Sequence, residues 1–339
     1  MKTRQIIFTD VNKSELLKVD IPDTLAPDEV MVKTAVSTVS AGTERANYTG
    51  DANVSATTAP NVSFPRYPGY SSAGEVIAIG SEVKSVKVGD RVAVYWGYHK
   101  EINVMQEKYV VKIEDDSVSY ESAAMCYIST FPMAAIRKTH LEMGESAMVM
   151  GLGILGIIAV KLLRLAGAVP VIAVDPNPVR RDMALRCGAD FALDPFCENF
   201  TEKVHEISGG IKVAIEVTGV GAGFNQALDC MAKFGRVALL GCTRNSDFTV
   251  DYYRKIHAPG ITVVGAHTIA RPDVESSAGM FTHADDIRCA LKLCAGGRLT
   301  FDDIVSETHS PEEHGEVYRR LGENRDFPVG VQFDWRMLK

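Results

Sequence analysis

The sequence lacks the cysteine patterns that indicate disulfides or a thiolate metal site. Its 7 cysteines are scattered, odd in number, and never spaced as Cys-x-x-Cys. A chain of 339 residues has room for about two domains of roughly 100–200 residues, so its folding needs no covalent or metal cross-link. Free, dispersed thiols fit a reducing cytosol, and we therefore expect a cytoplasmic protein.

Two further absences narrow the classes of function. Basic residues are not in excess, since 36 Lys+Arg stand against 43 Asp+Glu for a net charge of −7. This argues against a nucleic-acid partner, because phosphate binding needs a positive field. The longest apolar run, residues 147–160, falls short of the roughly 20 residues that cross a bilayer, and the first residues are too polar for a secretory signal. The sequence therefore predicts neither a nucleic-acid nor a membrane partner.

The pattern of apolar residues changes along the chain. Residues 1–125 are rich in short strands with β-branched residues, and the small polar residues of 45–66 predict a long loop. From about residue 121, strands and helices alternate, and the strands are nearly continuous apolar runs. This alternation predicts a parallel sheet covered by helices on both faces.

The strongest local motif is Gly151-Leu-Gly153-Ile-Leu-Gly156, which follows a predicted strand and opens a predicted helix. The first glycine allows a tight turn, the second lets the backbone approach a pyrophosphate, and the third lets the helix pack on the strand. The first residues of the helix, Ile154 and Leu155, offer free N–H groups to phosphates. The motif predicts a dinucleotide-binding site.

An acidic residue accompanies the motif. Asp175 lies at the end of the next predicted strand, where a carboxylate accepts hydrogen bonds from the adenosine ribose. A 2′-phosphate would meet that carboxylate, so we expect NAD(H) rather than NADP(H). Arg180, five residues later, is the counter-indication, because an arginine there can bind a 2′-phosphate.

Two segments of the first half carry a family resemblance: Pro68-Gly-Tyr-Ser-Ser-Ala-Gly74-Glu-Val-Ile-Ala-Ile-Gly80, and Val86-Lys-Val-Gly-Asp-Arg-Val92. Together with the glycine motif, they resemble the medium-chain dehydrogenase/reductase superfamily of zinc alcohol dehydrogenases and quinone reductases. The resemblance implies an α/β plus β fold, in which a doubly wound Rossmann domain (127–266) is inserted into a GroES-like β-barrel catalytic domain (1–126 and 267–339).

The same resemblance implies a cofactor, a substrate class and an assembly. The substrate would be a small alcohol or carbonyl compound, and the protein would be a homodimer or homotetramer. Around the nicotinamide and the neighbouring sheet edge, the implied cofactor-binding residues are Thr130, Val217, Thr218, Gly241, Cys242, Thr243 and His267.

The zinc ligands of the family are missing. Where zinc-dependent members carry Cys-Gly-Thr/Ser-Asp, this chain has Ala41-Gly-Thr-Glu44, and Tyr70-Ser71 replaces their His-Glu pair. Only Cys126 lies where a third ligand is expected, and residues 95–107 lack the cysteines of the structural zinc lobe. Alanine cannot ligate, and one cysteine cannot hold the ion. We therefore predict no zinc. The segment 40–45 resembles a zinc-free branch that includes bacteriochlorophyllide dehydrogenases.

Without a Lewis acid, the substrate oxygen must be polarised by hydrogen-bond donors. Tyr70 is the leading candidate because it replaces a metal ligand and a phenol can donate. Ser40 can bond the substrate oxygen or cap a turn, and Thr43 with Glu44 can relay a proton, unless Glu44 only pairs with a nearby cation. His99 can act as an acid or base, or can be an ordinary surface histidine.

The sequence leaves three functions open. The first is a zinc-independent NAD(H)-linked oxidoreductase acting on alcohols or carbonyls. The second is a quinone or enone reductase, which the acid at Asp175 disfavours because such enzymes commonly prefer NADPH. The third is a catalytically idle nucleotide-binding redox sensor. The loops expected to set substrate specificity, residues 45–66, 95–105 and 268–285, contain no pattern that identifies a substrate.

Overall fold

The chain forms two units, one of which combines both ends of the sequence. The structure is a computed structural model that describes residues 1–323 and 327–339. Unit 1 comprises Met1–Ile128 and Ile287–Lys339, and unit 2 comprises Ser129–Asp286. The first boundary lies close to the predicted one, whereas the second falls at 286 instead of 266.

The later second boundary has a physical reason. Arg271 donates through Nη2 to the carbonyl of Thr130 at 2.6 Å and through Nη1 to Asp286 at 3.2 Å. These charge-assisted bonds attach the segment after residue 266 to unit 2. The chain therefore re-enters unit 1 after residue 286, later than the predicted position after residue 266.

Strands dominate the first part of unit 1, where β-branched residues are frequent. Within one such strand, every residue from Val30 to Thr38 except Lys33 is buried, so this strand runs through the interior of the unit. The elements are β1 (Lys2–Asp10), β2 (Lys13–Asp20), β3 (Glu29–Thr38), α1 (Ala41–Tyr48), β4 (Ser71–Ile79), β5 (Arg91–Tyr95), β6 (Ile102–Gln106), β7 (Val110–Lys112) and α2 (Tyr120–Lys138), which contains the first boundary.

Part of the predicted loop over 45–66 is helical. Residues 45–48 form the last half of α1, so the loop begins only after Tyr48. The small and polar composition of this stretch concealed the helix, because it has no apolar stripe of helical period.

Unit 2 contains the parallel sheet that the strand–helix alternation predicts. Its strand order is β10-β9-β8-β11-β12-β13, so the chain winds outward from β8 and then reverses to β11. Ligands of such sheets bind at the carboxyl ends of the strands beside the reversal. The elements are β8 (Ala147–Met150), α3 (Ile154–Leu165), β9 (Val171–Val174), α4 (Pro178–Arg186), β10 (Phe191–Leu193), α5 (Phe200–Ser208), β11 (Ile211–Glu216), α6 (Gly221–Asp229), β12 (Met231–Leu239), a π-helical turn (Tyr253–His257) and β13 (Thr262–Gly265).

The end of the chain completes the sheet of unit 1. After α7 (His283–Ala295), which contains the second boundary, come β14 (Val305–His309), α8 (His314–Glu323) and β15 (Gly330–Asp334). The sheet has the order β14-β15-β3-β4-β5-β7, with β6 paired to β3. β15, near the end of the chain, pairs antiparallel with β3. The sheet of unit 1 is therefore built from strands that lie in both end segments of the sequence.

The aromatic core of unit 1 also joins the two ends. The ring of Tyr318 lies 4.7 Å from that of Phe8 and 6.0 Å from that of Phe333, and all three side chains are fully buried. Such contacts add specific geometry to the burial of apolar area. Across the described residues, no helix combines the length and apolarity needed to cross a membrane.

Candidate active site

The glycine motif turns the chain from β8 into α3, and each glycine is required for a different reason. Gly151 has φ +97°, a left-handed conformation that favours glycine. A Cβ on Gly156 would lie 1.9 Å from the carbonyl oxygen of Gly151, so α3 packs on the turn without room for a side chain. Gly153 caps α3 and faces open space, since a Cβ there meets nothing within 4 Å. The N–H groups at the start of α3 and the backbone beside Gly153 can therefore bind a phosphate group.

Asp175 lies next to the glycine turn and also holds the turn in place through hydrogen bonds. Its carboxylate accepts hydrogen bonds from the backbone N–H of Leu152 at 2.8 Å and of Asn177 at 2.9 Å, and the side chain is only 5% exposed. The guanidinium of Arg180 lies 3.9 Å from the same carboxylate. A carboxylate and a cation therefore stand together at the end of β9.

The remaining predicted cofactor residues follow strand ends at the same edge. Val217 and Thr218 follow β11 and Gly241–Thr243 follow β12, while His267 comes after β13. A Cβ on Gly241 would lie 2.6 Å from the backbone nitrogen of Gly219, so these two loops touch closely. Cys242 is exposed.

Buried Glu216, which sequence reasoning missed, holds one of these loops. Its carboxylate accepts the N–H of Thr218 at 2.8 Å and also the hydroxyl of Thr218. Burial raises the pKa of Glu216, and the Thr218 bonds oppose that rise. The Thr218 hydroxyl is thus engaged within the loop instead of being directed at a ligand. The sequence did not indicate this role for Glu216, because an acidic residue at the end of a strand can have many different functions.

Thr130, a predicted cofactor residue, is fully buried, and its hydroxyl lies 3.0 Å from Nδ1 of His283. Burial, with the nearby charge of Arg271, lowers the pKa of His283 to about 3, so this imidazole is neutral. The Thr130 hydroxyl therefore links α2 to the first residue of α7, and its role at the nicotinamide stays a prediction.

In unit 1, Tyr70 and Ser40 form a pair of hydroxyl groups. Ser40 precedes α1, Tyr70 precedes β4, and the Tyr70 hydroxyl donates a hydrogen bond to Ser40 Oγ. The ring of Tyr70 packs edge-on against Tyr127, at 5.6 Å and 89°. Trp96 lies 6.2 Å away and is 39% exposed. The pair is therefore flanked by aromatic surface.

His99 and Glu44 are not on the surface. His99 is 0% and Glu44 is 2% exposed, and Nε2 of His99 lies 3.2 Å from Glu44 Oε2. Arg45, the cation expected to pair with Glu44, instead donates to the carbonyl of Gly322 at 3.1 Å. The alternative of an ordinary surface histidine is therefore wrong, whereas the roles of His99 and Glu44 as acid, base or relay stay predictions. Thr43 remains half-buried beside them.

The residues at the family's zinc position do not fit a zinc ion. Ala41 has no donor, and Ser71 donates its hydroxyl to the carbonyl of Ala124 at 2.6 Å. Cys126 is fully buried, and its pKa is raised well above the ordinary value by the thiol of Cys294 and by burial. Among residues 1–323 and 327–339, no three His, Cys, Asp or Glu side chains are grouped to hold a metal.

Comparison with known proteins agrees with this architecture. Residues 26–116 match the alcohol dehydrogenase GroES-like domain family, and residues 155–282 match the zinc-binding dehydrogenase family. The chain belongs to the medium-chain dehydrogenase/reductase superfamily and is an alcohol dehydrogenase-like oxidoreductase. The predicted combination of a GroES-like domain with a doubly wound Rossmann domain is confirmed.

Individual relatives differ in substrate and cofactor. An L-threonine 3-dehydrogenase of Pyrococcus horikoshii is 27% identical over 281 residues, covering 74% of this chain and 79% of that protein. A putative zinc-binding dehydrogenase of Sinorhizobium meliloti 1021, bound to NADP, has a TM-score of 0.81 at 20% identity, covering 98% of this chain and 99% of that one. A short chain alcohol dehydrogenase of Escherichia coli CFT073, complexed with NADH, has a TM-score of 0.83 at 18% identity and the same coverage of 98% and 99%. Family members thus bind NAD(P)(H).

Proposed function

We propose that this protein is a zinc-independent, NAD(H)-linked oxidoreductase that interconverts an alcohol and its carbonyl compound. The observation that carries the proposal is the hydrogen bond from Tyr70 to Ser40. It puts two proton-bearing hydroxyl groups where zinc-dependent relatives place a metal ligand. Relatives named as dehydrogenases of hydroxyl-bearing substrates, such as L-threonine 3-dehydrogenase, support this reaction class.

The chain's own residues divide the work of binding. The N–H groups at the start of α3, from Ile154 onward, would bind the pyrophosphate beside Gly153, and Asp175 would accept the ribose hydroxyls. When bound, the nicotinamide supplies or accepts the hydride. We assign the strand-end residues Val217, Gly241–Thr243 and His267 to the same cofactor site, because their loops leave the same edge of the sheet.

Tyr70 and Ser40 would manage the substrate oxygen. With Tyr70 donating to Ser40, the serine proton can pass to the alkoxide that forms when hydride adds to a carbonyl. The phenol proton then passes to Ser40 Oγ, so Ser40 stays neutral and the charge ends on the Tyr70 oxygen, because a phenol is a stronger acid than an aliphatic alcohol. Preorganised donors of this kind can replace a Lewis acid at a developing oxyanion. Trp96 beside the pair, 39% exposed, favours an uncharged, ring-bearing or apolar substrate over a charged one.

Independence from zinc follows from the donor set at the family's metal position. Ala41, the Ser71 hydroxyl bonded to a backbone carbonyl and the single thiol of Cys126 do not make a tetrahedral site. Metal analysis of untagged protein should find well under one zinc per chain, and activity should survive dialysis against a chelator. About one zinc per chain, lost together with the activity, would contradict this part of the proposal.

We infer NAD(H) as the preferred cofactor from Asp175. Its carboxylate would repel a 2′-phosphate, although Arg180 at 3.9 Å reduces that repulsion. Fluorescence titrations with NADH and NADPH measure the preference directly. Tighter binding of NADPH would assign the dominant role to Arg180.

Substrate panels test the reaction class. Purified protein is assayed with primary, secondary and aromatic alcohols plus NAD, and with ketones, quinones and enones plus NADH. Turnover of alcohols and ketones supports the proposal. Turnover of quinones or enones alone would make the protein a C=C or quinone reductase, and NADH binding without any turnover would favour a redox sensor.

We also propose a cytoplasmic homodimer or homotetramer, assembled through the edge of the unit 2 sheet. β13 is an edge strand of that sheet, and Val263 on it is 38% exposed. An exposed, apolar edge strand is a template for pairing with another chain. Light scattering of the eluting protein should give twice or four times the chain mass of 36.9 kDa, and a Val263→Lys variant should elute as a monomer.

A further inference from the structure

A buried cluster of polar side chains in unit 1 lies directly behind Ser40 and Tyr70. We define it as the Glu44 cluster, formed by Glu44, His99, Tyr318, Ser37 and Trp335. Each of the five side chains is buried, and they come from α1, the loop after β5, α8, β3 and the residue after β15. A buried carboxylate is costly unless every lone pair has a donor.

Each oxygen of the Glu44 carboxylate accepts a hydrogen bond. Glu44 Oε2 accepts the phenol of Tyr318 at 2.7 Å, and Oε1 accepts the backbone N–H of Ser40 at 3.0 Å. His99 Nε2 lies 3.2 and 3.3 Å from the two oxygens. Burial and the neighbouring Glu44 raise the pKa of Tyr318 well above its ordinary value, so this phenol stays a donor at neutral pH.

The orientation of His99 follows from the next bond in the chain. The indole N–H of Trp335 donates to Ser37 Oγ at 2.8 Å, and Ser37 Oγ lies 2.7 Å from His99 Nδ1. Since the indole can only donate, the Ser37 proton is free to point at Nδ1. Nε2 then carries the ring proton and directs it at Glu44.

The cluster contacts Ser40 and the two residues that precede Tyr70. Glu44 holds the backbone of Ser40. The backbone N–H of His99 donates to the carbonyl of Pro68 at 2.9 Å, and a Cβ on Gly69 would lie 2.3 Å from that same nitrogen. Gly69 immediately precedes Tyr70, so the position of Tyr70 depends on where His99 is held.

From these contacts we propose that the Glu44 cluster is a positioning device: Tyr318, through Glu44 and His99, holds Ser40 and Tyr70 at hydrogen-bonding distance. The proposal rests on the proposed function of that pair. Its consequence is that α8, which contributes Tyr318 and no group to the reaction itself, sets the turnover rate. Small displacements of reacting groups lower rates strongly while leaving binding intact.

Tyr318→Phe and Tyr48→Phe form a matched pair of variants. Tyr48 lies in the same aromatic core, 5.8 Å from Tyr318, and its hydroxyl donates to the carbonyl of Asn12 at 2.8 Å. Each substitution removes one buried hydroxyl and one hydrogen bond. Tyr318→Phe should cost more stability, because it removes a donor from the buried carboxylate of Glu44, whereas Tyr48→Phe removes a donor from a neutral backbone carbonyl.

The measurements are kcat, the KM for the best alcohol of the panel, the NADH dissociation constant and Tm. For Tyr318→Phe we expect kcat to fall about tenfold with KM and NADH binding unchanged. For Tyr48→Phe we expect a smaller loss of Tm, with kcat within about twofold of the parent protein. Equal kcat values for the two variants would overturn the proposal.

A second measurement needs no substrate. Amide hydrogen exchange of the peptide covering residues 38–44 reports the Ser40 N–H that Glu44 accepts. Exchange should accelerate in Tyr318→Phe and stay unchanged in Tyr48→Phe, and unchanged exchange in both would overturn the positioning role. If no alcohol is turned over but exchange accelerates as expected, the proposed function fails while the positioning of Ser40 stands.

Discussion

The two candidate sites of this protein are built in opposite ways. In unit 2, the glycine turn and Asp175 lie within one strand–helix–strand segment, between Gly151 and Asp175. In unit 1, the Tyr70–Ser40 pair and its supports come from segments as far apart as Ser37 and Trp335. A site contained in one segment can be damaged by one local change, whereas a site assembled from distant segments depends on the packing of the whole unit.

The sharpest test of the local site is Gly156→Val. A Cβ at this position would lie 1.9 Å from the carbonyl oxygen of Gly151, so α3 must move away from the turn or the unit must fail to fold. We expect a loss of several degrees or more in Tm, together with loss of NADH binding in a fluorescence titration.

Gly153→Ala is the matched control for that variant. Its Cβ meets nothing within 4 Å, so Tm should not change, yet the methyl group would occupy the approach of the pyrophosphate and NADH affinity should fall about tenfold. A normal Tm and normal NADH affinity in Gly156→Val would show that the turn adapts to a side chain. A single local change would then not damage the site in unit 2.

For the dispersed site, the decisive variant is Tyr70→Phe. Removing the phenol that donates to Ser40 should lower kcat by roughly one to two orders of magnitude, the lower range for a lost proton donor. NADH affinity should stay unchanged. Tyr67→Phe is the control, because Tyr67 is 51% exposed and has no bond to the pair. An unaltered kcat in Tyr70→Phe would remove this residue from the mechanism.

These differences explain what could be read from the sequence. The glycine turn, Asp175 and the parallel sheet were all predictable, since each depends on residues close together in the chain. The Glu44 cluster was not, because Tyr318 and Trp335 carry no local pattern. Tyr318 reaches Glu44 from α8, and Trp335 reaches Ser37 only when β15 pairs with β3. His99 was expected to act as an acid or base or to lie on the surface, and nothing in the residues around it indicated that Ser37 and Glu44 would enclose it.

Asp175→Ala tests whether a carboxylate in the local site acts on the cofactor or only on the fold. We expect NADH affinity to fall about tenfold and discrimination against NADPH to relax, because the ribose acceptor and the bond to Leu152 are both lost. Asp190→Ala is the control at the other end of β9, where Asp190 accepts the N–H of Val171 at 2.8 Å. It should reduce Tm without changing NADH affinity, and equal affinities in the two variants would refute the assignment of Asp175.

The smallest effect is expected at Glu307, which supports unit 1 without touching its site. Two hydrogen bonds of 2.9 Å from Arg320 lower the pKa of Glu307 to about 2. A carboxyl pKa lowered by folding stabilises the protein above its ordinary range near 4.5, and the stabilisation disappears as pH falls toward 2.

Because both side chains are about one third exposed, Glu307→Gln should cost only about 1 kcal/mol at pH 7, measured by urea unfolding, and progressively less below pH 4. Arg320 lies on α8 with Tyr318, yet kcat should stay at the parent value, since the Glu44 cluster keeps its own bonds. Glu316→Gln, at an exposed pair on the same helix, serves as the control. A loss of kcat in Glu307→Gln alone would mean that the dispersed site depends on the placement of the whole helix and not only on the Tyr318 hydroxyl.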